Sequence, residues 1–171
     1  MKYMPTWFSD SIYTLDLDFL KGQNIRYILV DLDNTLAPYN IPLPDDRTKN
    51  LVRQFKEKGF EFIIVSNNNG KRVHLYASNL NVKYVSGALK PFTRNIKKYL
   101  ANNNMDINEC VMIGDQLMTD IKCACRMNCK CVLTNPLSTD ESWVTYINRK
   151  IDQKYRKKYD IENNTKCIDR R

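Results

Sequence analysis

The stretch "IRYILVDLDNTLAP", residues 25–38, is an apolar run that ends in two aspartates, Asp31 and Asp33, one residue apart. A short, continuous run of branched and aromatic residues reads as a strand covered on both faces. Two like charges at its end repel and raise each other's pKa. Such a pair implies a cation beside it.

The same pattern recurs along the chain. "FEFIIVS" (60–66), "VKYVS" (82–86), "CVMIGD" (110–115) and "CKCVLT" (129–134) are further strand candidates. Helical periodicity fills the gaps. Residues 45–59 place Leu51, Val52 and Phe55 on one face, with Gly59 to end the helix. Residues 71–80 turn Val73, Ala77 and Leu80 inward. Residues 91–104 begin with Pro91, suited to a first turn, and carry a stripe of Phe92, Ile96 and Leu100. A helix over about 119–128 buries Ile121 and Ala124, and Ser138 and Glu141 have capping-box spacing before a helix containing Trp143, Ile147 and Ile151.

Strands that alternate with single helices predict an α/β fold, a Rossmann-like, doubly wound parallel sheet of five strands with helices on both faces. Residues 1–171 read as one domain, with 1–24 as an N-terminal extension and 138–171 as a basic helix and tail. In such sheets ligands sit beyond the carboxyl ends of the strands. That edge gathers Asp31 and Asp33 after the first strand, Ser66 and Asn67 after the second, and Asp115 after the fourth, with Asp120 a turn later. Lys90 precedes the Pro91 helix, which places it near a helix N-terminus, where anions bind.

Carboxylates this crowded suit a hard divalent cation such as Mg²⁺. Metal, lysine, hydroxyl and helix dipole together describe a phosphate pocket. Asp31 is placed to attack phosphorus, and Asp33 to protonate the leaving oxygen and then activate water.

"DLDNT", "VSNNN", "LKP" and "GDQLMTD" occur in that order over residues 31–120. They resemble the motifs of the haloacid dehalogenase (HAD) superfamily of aspartyl phosphatases. "DLDNTLAPYN", "IVSNNN", "LKPFTRNI" and "MIGDQLMTDI" are similar to its small bacterial subclass III-A members, related to the mitochondrial phosphatidylglycerophosphatase. The resemblance implies Asp31 as nucleophile and Asp33 as general acid/base, with the Asp33 carbonyl also on the metal. It implies Ser66 and Lys90 on phosphate, Asp115 on Mg²⁺, and Asp120 in support of the metal. Asn67 is a further candidate for phosphate contact. Residues 36–59 and 67–89 leave no room for a cap domain, so an open site and a large or surface-bound phosphate monoester are expected.

The formal charge is +8, which favours anionic partners: acidic lipid, nucleic acid or phosphorylated substrates. No apolar run approaches the roughly 18 residues that span a bilayer, and the N-terminus does not read as a secretory signal. A cytoplasmic enzyme is expected, with peripheral contact at an anionic membrane left open. Residues 147–160 are a basic helix suited to such a surface or to solvent. "YMPTWFSDSIY" (3–13) is suited to an interface or to folding onto the core. "CACRMNCKC" (123–131) lacks the two-residue gap of paired zinc ligands and reads as small core residues. His74 reads as a surface or packing residue.

The leading expectation is a Mg²⁺-dependent phosphatase of phosphatidylglycerophosphate, with no obligate protein partner. Alternatives are a phosphatase of sugar phosphates, nucleotides or nucleic acid ends, or a non-catalytic module that binds RNA or a ribosomal assembly.

Overall fold

The computed structural model describes residues 3–68, 70–138 and 143–170, with backbone alone for 143–148. Its elements in chain order are β1 (Trp7–Ser9), α1 (Leu17–Gly22), β2 (Tyr27–Val30), α2 (Asp46–Glu57), β3 (Glu61–Val65), α3 (Lys71–Leu80), β4 (Lys83–Val85) and α4 (Arg94–Asn102). A 3₁₀ turn (Ile107–Glu109) precedes β5 (Cys110–Gly114). A π-helical turn (Leu117–Ile121) leads into α5 (Lys122–Met127), and β6 (Lys130–Thr134), α6 (Trp143–Tyr159) and α7 (Ile161–Asn164) follow.

The strands form one parallel sheet in the order β1-β6-β5-β2-β3-β4. It has six strands where the sequence predicts five. The extra one, β1, comes from the N-terminal extension. Trp7, Phe8 and Ser9 pair with Val132, Leu133 and Thr134, and Trp7 and Phe8 are buried. The aromatics of that segment therefore fold onto the core. Three residues between turns are too few to show a period, so only tertiary pairing reveals the strand.

Alternate strand residues face opposite layers, as the pleat requires. Ile28, Val30, Phe62, Ile64, Val111 and Ile113 pack with Leu51, Val52 and Phe55 of α2 and Val73, Tyr76 and Ala77 of α3. Tyr27, Leu29, Ile63, Val65 and Met112 pack with Ile96 and Leu100 of α4 and Cys123, Ala124 and Met127 of α5. Cys123, Cys129 and Cys131 are buried in this second layer with free thiols, as small core residues.

Two helix expectations shift. The helix expected from Pro91 begins at Arg94 with Thr93 as N-cap, so Lys90 does not adjoin its N-terminus. Phe92 is outside the apolar stripe and 67% exposed. Glu141 of the expected capping box, and the side chains of Trp143 and Ile147, lie outside the described residues.

Candidate functional site

The turn after β2 builds half the site. Asn34 takes a left-handed conformation, φ +59°, that asparagine tolerates better than most residues. Its N–H donates to the Ala37 carbonyl at 2.7 Å, while the Ala37 N–H returns to the Leu32 carbonyl at 3.0 Å. This tight reversal holds Asp31, Asp33 and Thr35 at the sheet edge. The Thr35 hydroxyl donates to Asp115 Oδ1 across the β2–β5 pair at 2.9 Å.

Asp31, Asp115 and Asp120 are all buried, and one carboxylate oxygen from each lies within 4.8 Å of the others. Among the described residues no other group of three acids, cysteines or histidines is so arranged. Lys90 counters two of them. Its Nζ is 2.6 Å from Asp31 Oδ1 and 2.7 Å from Asp120 Oδ1, and donates to the Val65 carbonyl at 2.8 Å. Arg149 of α6 pairs with Asp115 Oδ2.

Burial pushes the Asp31 carboxyl well above the ordinary carboxylate range. Lys90 opposes that rise, and Asp120, Asp115 and Asp33 add to it. Burial likewise raises Asp115, and Arg149 is the largest opposing charge. Burial alone would lower Lys90, but Asp120 and Asp31 outweigh it and hold the ammonium charged. Three acids against two cations leave the cluster short of positive charge. The Asp120 oxygen nearest Lys90 is buried without a well-angled hydrogen bond. An all-oxygen carboxylate donor set with an under-satisfied oxygen fits a hard divalent cation.

Asp120 reaches this cluster only because residue 114 is glycine. A Cβ there would lie 2.3 Å from Asp120 Cγ. The π-helical turn brings the Asp120 side chain back beneath the strand end, where its Oδ2 accepts from the Gln116 N–H at 3.2 Å.

Asp33 is less buried and stands apart from the acid trio. It pairs with Arg72 of α3 and accepts from Asn68 Nδ2 at 2.7 Å. Arg72 also donates to the carbonyls of Pro38, at 3.1 Å, and Ile41, at 2.9 Å, so it pins the loop after β2. The Ser66 hydroxyl is buried and accepts from the Asn68 N–H at 3.1 Å. Asn67 spends its side chain on the main chain of Lys90. Its Nδ2 donates to the Lys90 carbonyl at 2.9 Å and its Oδ1 accepts from the Lys90 N–H at 2.6 Å. Asn67 thereby aims the lysine into the site. His74 meets only the Tyr84 hydroxyl, 3.1 Å away on the surface.

The structure thus brings together Asp31, Asp33, Ser66, Asn67, Lys90, Asp115 and Asp120. Sequence reasoning missed Thr35, Arg72, Gly114 and Arg149. Thr35 sits within "DLDNT", and its place in that motif is a usable signal. Arg72 and Arg149 are two among many basic residues.

The basic C-terminal helix has an inner face. Arg149 is buried. Asp152, fully buried, accepts from the Leu117 N–H at 2.7 Å and the Met118 N–H at 3.2 Å. Arg156 donates to the carbonyls of Asp115, at 2.9 Å, and Thr134, at 2.6 Å. These residues fall at i, i+3 and i+7, one stripe of a helix. Lys150, Lys154, Lys157 and Lys158 are exposed. No helix among the described residues is long and apolar enough to cross a membrane.

Comparisons with known proteins give the family and the fold. The family model described as mitochondrial PGP phosphatase matches residues 2–138. The Bacillus subtilis (strain 168) protein named "Probable phosphatase YqeG" is 31% identical over 152 residues, 89% of this chain and 88% of that protein. An uncharacterized protein from Listeria monocytogenes serotype 4b has a similar fold, with a TM-score of 0.55 at 19% identity, over 68% of this chain and 84% of that one. So does the cobalt-bound deoxy-D-mannose-octulosonate 8-phosphate phosphatase from Haemophilus influenzae, with a TM-score of 0.52 at 14% identity, over 67% of this chain and 70% of that one.

Proposed function

The chain belongs to the mitochondrial PGP phosphatase family, as a phosphatase of the HAD superfamily without a cap domain, and from that premise we propose that it hydrolyses phosphatidylglycerophosphate to phosphatidylglycerol through an aspartyl-phosphate on Asp31. The observation that carries the chemistry is the buried trio of carboxylates with Lys90 2.6 Å from Asp31.

In this reading an Asp31 oxygen attacks phosphorus as the bond to the leaving oxygen breaks. Asp33 gives its proton to that oxygen, and Arg72 and Asn68 fix the direction of its carboxyl. Asp33 then takes a proton from the water that cleaves the acyl phosphate, which frees Asp31. Lys90 and the Ser66 hydroxyl hold the phosphoryl oxygens, and Asn67 holds Lys90 in place. Asp31, Asp115, Asp120 and the Asp33 carbonyl would hold Mg²⁺, which supplies positive charge to the phosphoryl group during transfer. Thr35 and Arg149 orient Asp115 from either side.

The lipid substrate rests on the family and on the open site. The loop from Leu36 to Asp45 and the segment carrying α3 and β4 contain no inserted domain to enclose a small metabolite. The test is phosphate release from phosphatidylglycerophosphate in mixed micelles with Mg²⁺, beside a panel of sugar phosphates, nucleotides and phosphorylated nucleic acid ends. The lipid is expected to be the preferred substrate, and Asp31→Asn is expected to abolish turnover while the fold persists. Undiminished turnover by Asp31→Asn would refute the mechanism. Preference for a soluble ester would refute the substrate.

A further inference from the structure

Seven large apolar side chains are exposed among the described residues, and five of them border the catalytic edge. Tyr39, Ile41 and Leu43 lie in the loop after β2, and Leu89 and Phe92 in the loop after β4. The sheet places β3 between β2 and β4. The two loops therefore stand on either side of the turn that carries Ser66, one of the proposed phosphate contacts.

Both loops are tied to catalytic residues. Arg72 joins the first to Asp33 through the Pro38 and Ile41 carbonyls. Asn67 joins the second to β3 through the main chain of Lys90. Lys90 is 5% exposed, whereas Leu89 and Phe92 beside it are 57% and 67% exposed. The loop buries its cation and shows its two large apolar side chains. Single exposed apolar residues are ordinary, but their concentration around one mouth is not.

The charges at this edge are equally uneven. Lys71 and Arg94 open α3 and α4, both exposed, and neither first turn holds an acid. The helix dipole disfavours cations at those positions. Helix stability therefore does not account for them, whereas an anionic surface facing this edge does.

We propose that the catalytic edge docks on an anionic lipid surface, with Tyr39, Ile41, Leu43, Leu89 and Phe92 entering the interface and Lys71 and Arg94 meeting the headgroups. The proposal rests on the lipid substrate for its orientation, but its test needs no turnover. A second copy of this chain is the poorer occupant. It would set Lys71 and Arg94 against their own like charges, between two chains of formal charge +8. In the docked orientation the pocket opens into the headgroup layer, and a phosphomonoester there reaches Asp31 without leaving its bilayer.

Co-sedimentation with vesicles of phosphatidylcholine mixed with phosphatidylglycerol, and of phosphatidylcholine alone, tests this. Wild type is expected to bind the anionic vesicles. The double variant Leu43→Ser/Phe92→Ser is expected to lose at least about tenfold in affinity. Lys71→Glu/Arg94→Glu should erase the preference for anionic vesicles. Lys154→Glu/Lys157→Glu/Lys158→Glu, on the outer face of α6, should bind like wild type. All should keep wild-type circular dichroism and hydrolysis of a water-soluble aryl phosphate.

Failure of wild type to bind, undiminished binding by Leu43→Ser/Phe92→Ser, or loss confined to the α6 variant would overturn the proposal. A wild-type dimer by light scattering that Leu43→Ser/Phe92→Ser splits would overturn it in favour of the second copy. Hydrolysis of soluble esters without vesicle binding would sink this inference alone. Vesicle binding without hydrolysis of any ester would sink the proposed function alone.

Discussion

Replacement of Lys90 by methionine isolates the charge balance of the site. Methionine fills nearly the same volume, so little cavity or strain confuses the result. What disappears is an ammonium 2.6 Å from Asp31 and 2.7 Å from Asp120, both buried. Removal of one partner from a buried ion pair costs about 3–5 kcal/mol, because the other charge stays buried and uncompensated. For a chain of this length that lowers the melting midpoint by on the order of 10 °C.

The sign of the pH dependence follows from Asp31. Its folded pKa is raised by burial and held back by Lys90. A carboxyl raised in this way stabilises the fold most below its unfolded pKa, and that stability is lost as pH rises through the folded value. Without Lys90 the folded value rises further, so the deficit of Lys90→Met should be larger at pH 8 than at pH 5. Mg²⁺ should restore part of it at pH 8. Thermal melts of wild type and Lys90→Met at both pH values, with EDTA and with Mg²⁺, supply the measurement. Equal midpoints at pH 8 in EDTA would refute the account of the cluster as two cations against three acids.

Gly114→Ala should place a methyl group 2.3 Å from Asp120 Cγ, and the carboxylate must shift to relieve the overlap. We expect a loss of about 1–3 kcal/mol by urea titration and clearly weaker Mn²⁺ binding by electron paramagnetic resonance. Asp152 offers a second pH handle, because burial pushes its carboxyl up to about 6 against the N–H groups of Leu117 and Met118. The rise from 3.8 corresponds to about 3 kcal/mol of stability present below pH 4 and lost as pH climbs to about 6. Relative to Asp152→Asn, wild type should therefore weaken across that window, read from urea midpoints. A constant difference from pH 4 to pH 7 would refute it.

The sheet and its site were largely legible because parallel strands carry unmistakable signals. Each of β2, β3 and β5 carries a continuous apolar run, and each is followed by a polar residue of the candidate site. Helix α3 was readable to the residue, because its apolar spacing is regular and Gly70 and Asn81 bracket it. Boundaries failed where sequence carries two signals at once. Pro91 suits a first turn, but the chain uses 91–93 as a loop that turns Lys90 inward and Phe92 outward.

The acids, the lysine and their order along the strands were fixed by the sequence, because strand period and strand ends decide where such residues emerge. Tertiary structure alone decided their partners. Many lysines and arginines are equivalent on paper. Only packing selects Arg72 for Asp33 and Arg149 for Asp115, and only it turns one stripe of the basic final helix towards the site. The same holds for β1, whose three residues become a strand only against the free edge of β6. Local pattern determines where a charge emerges from the fold. Which opposite charge meets it is a long-range matter, set by how helices far apart in sequence close over the same sheet edge.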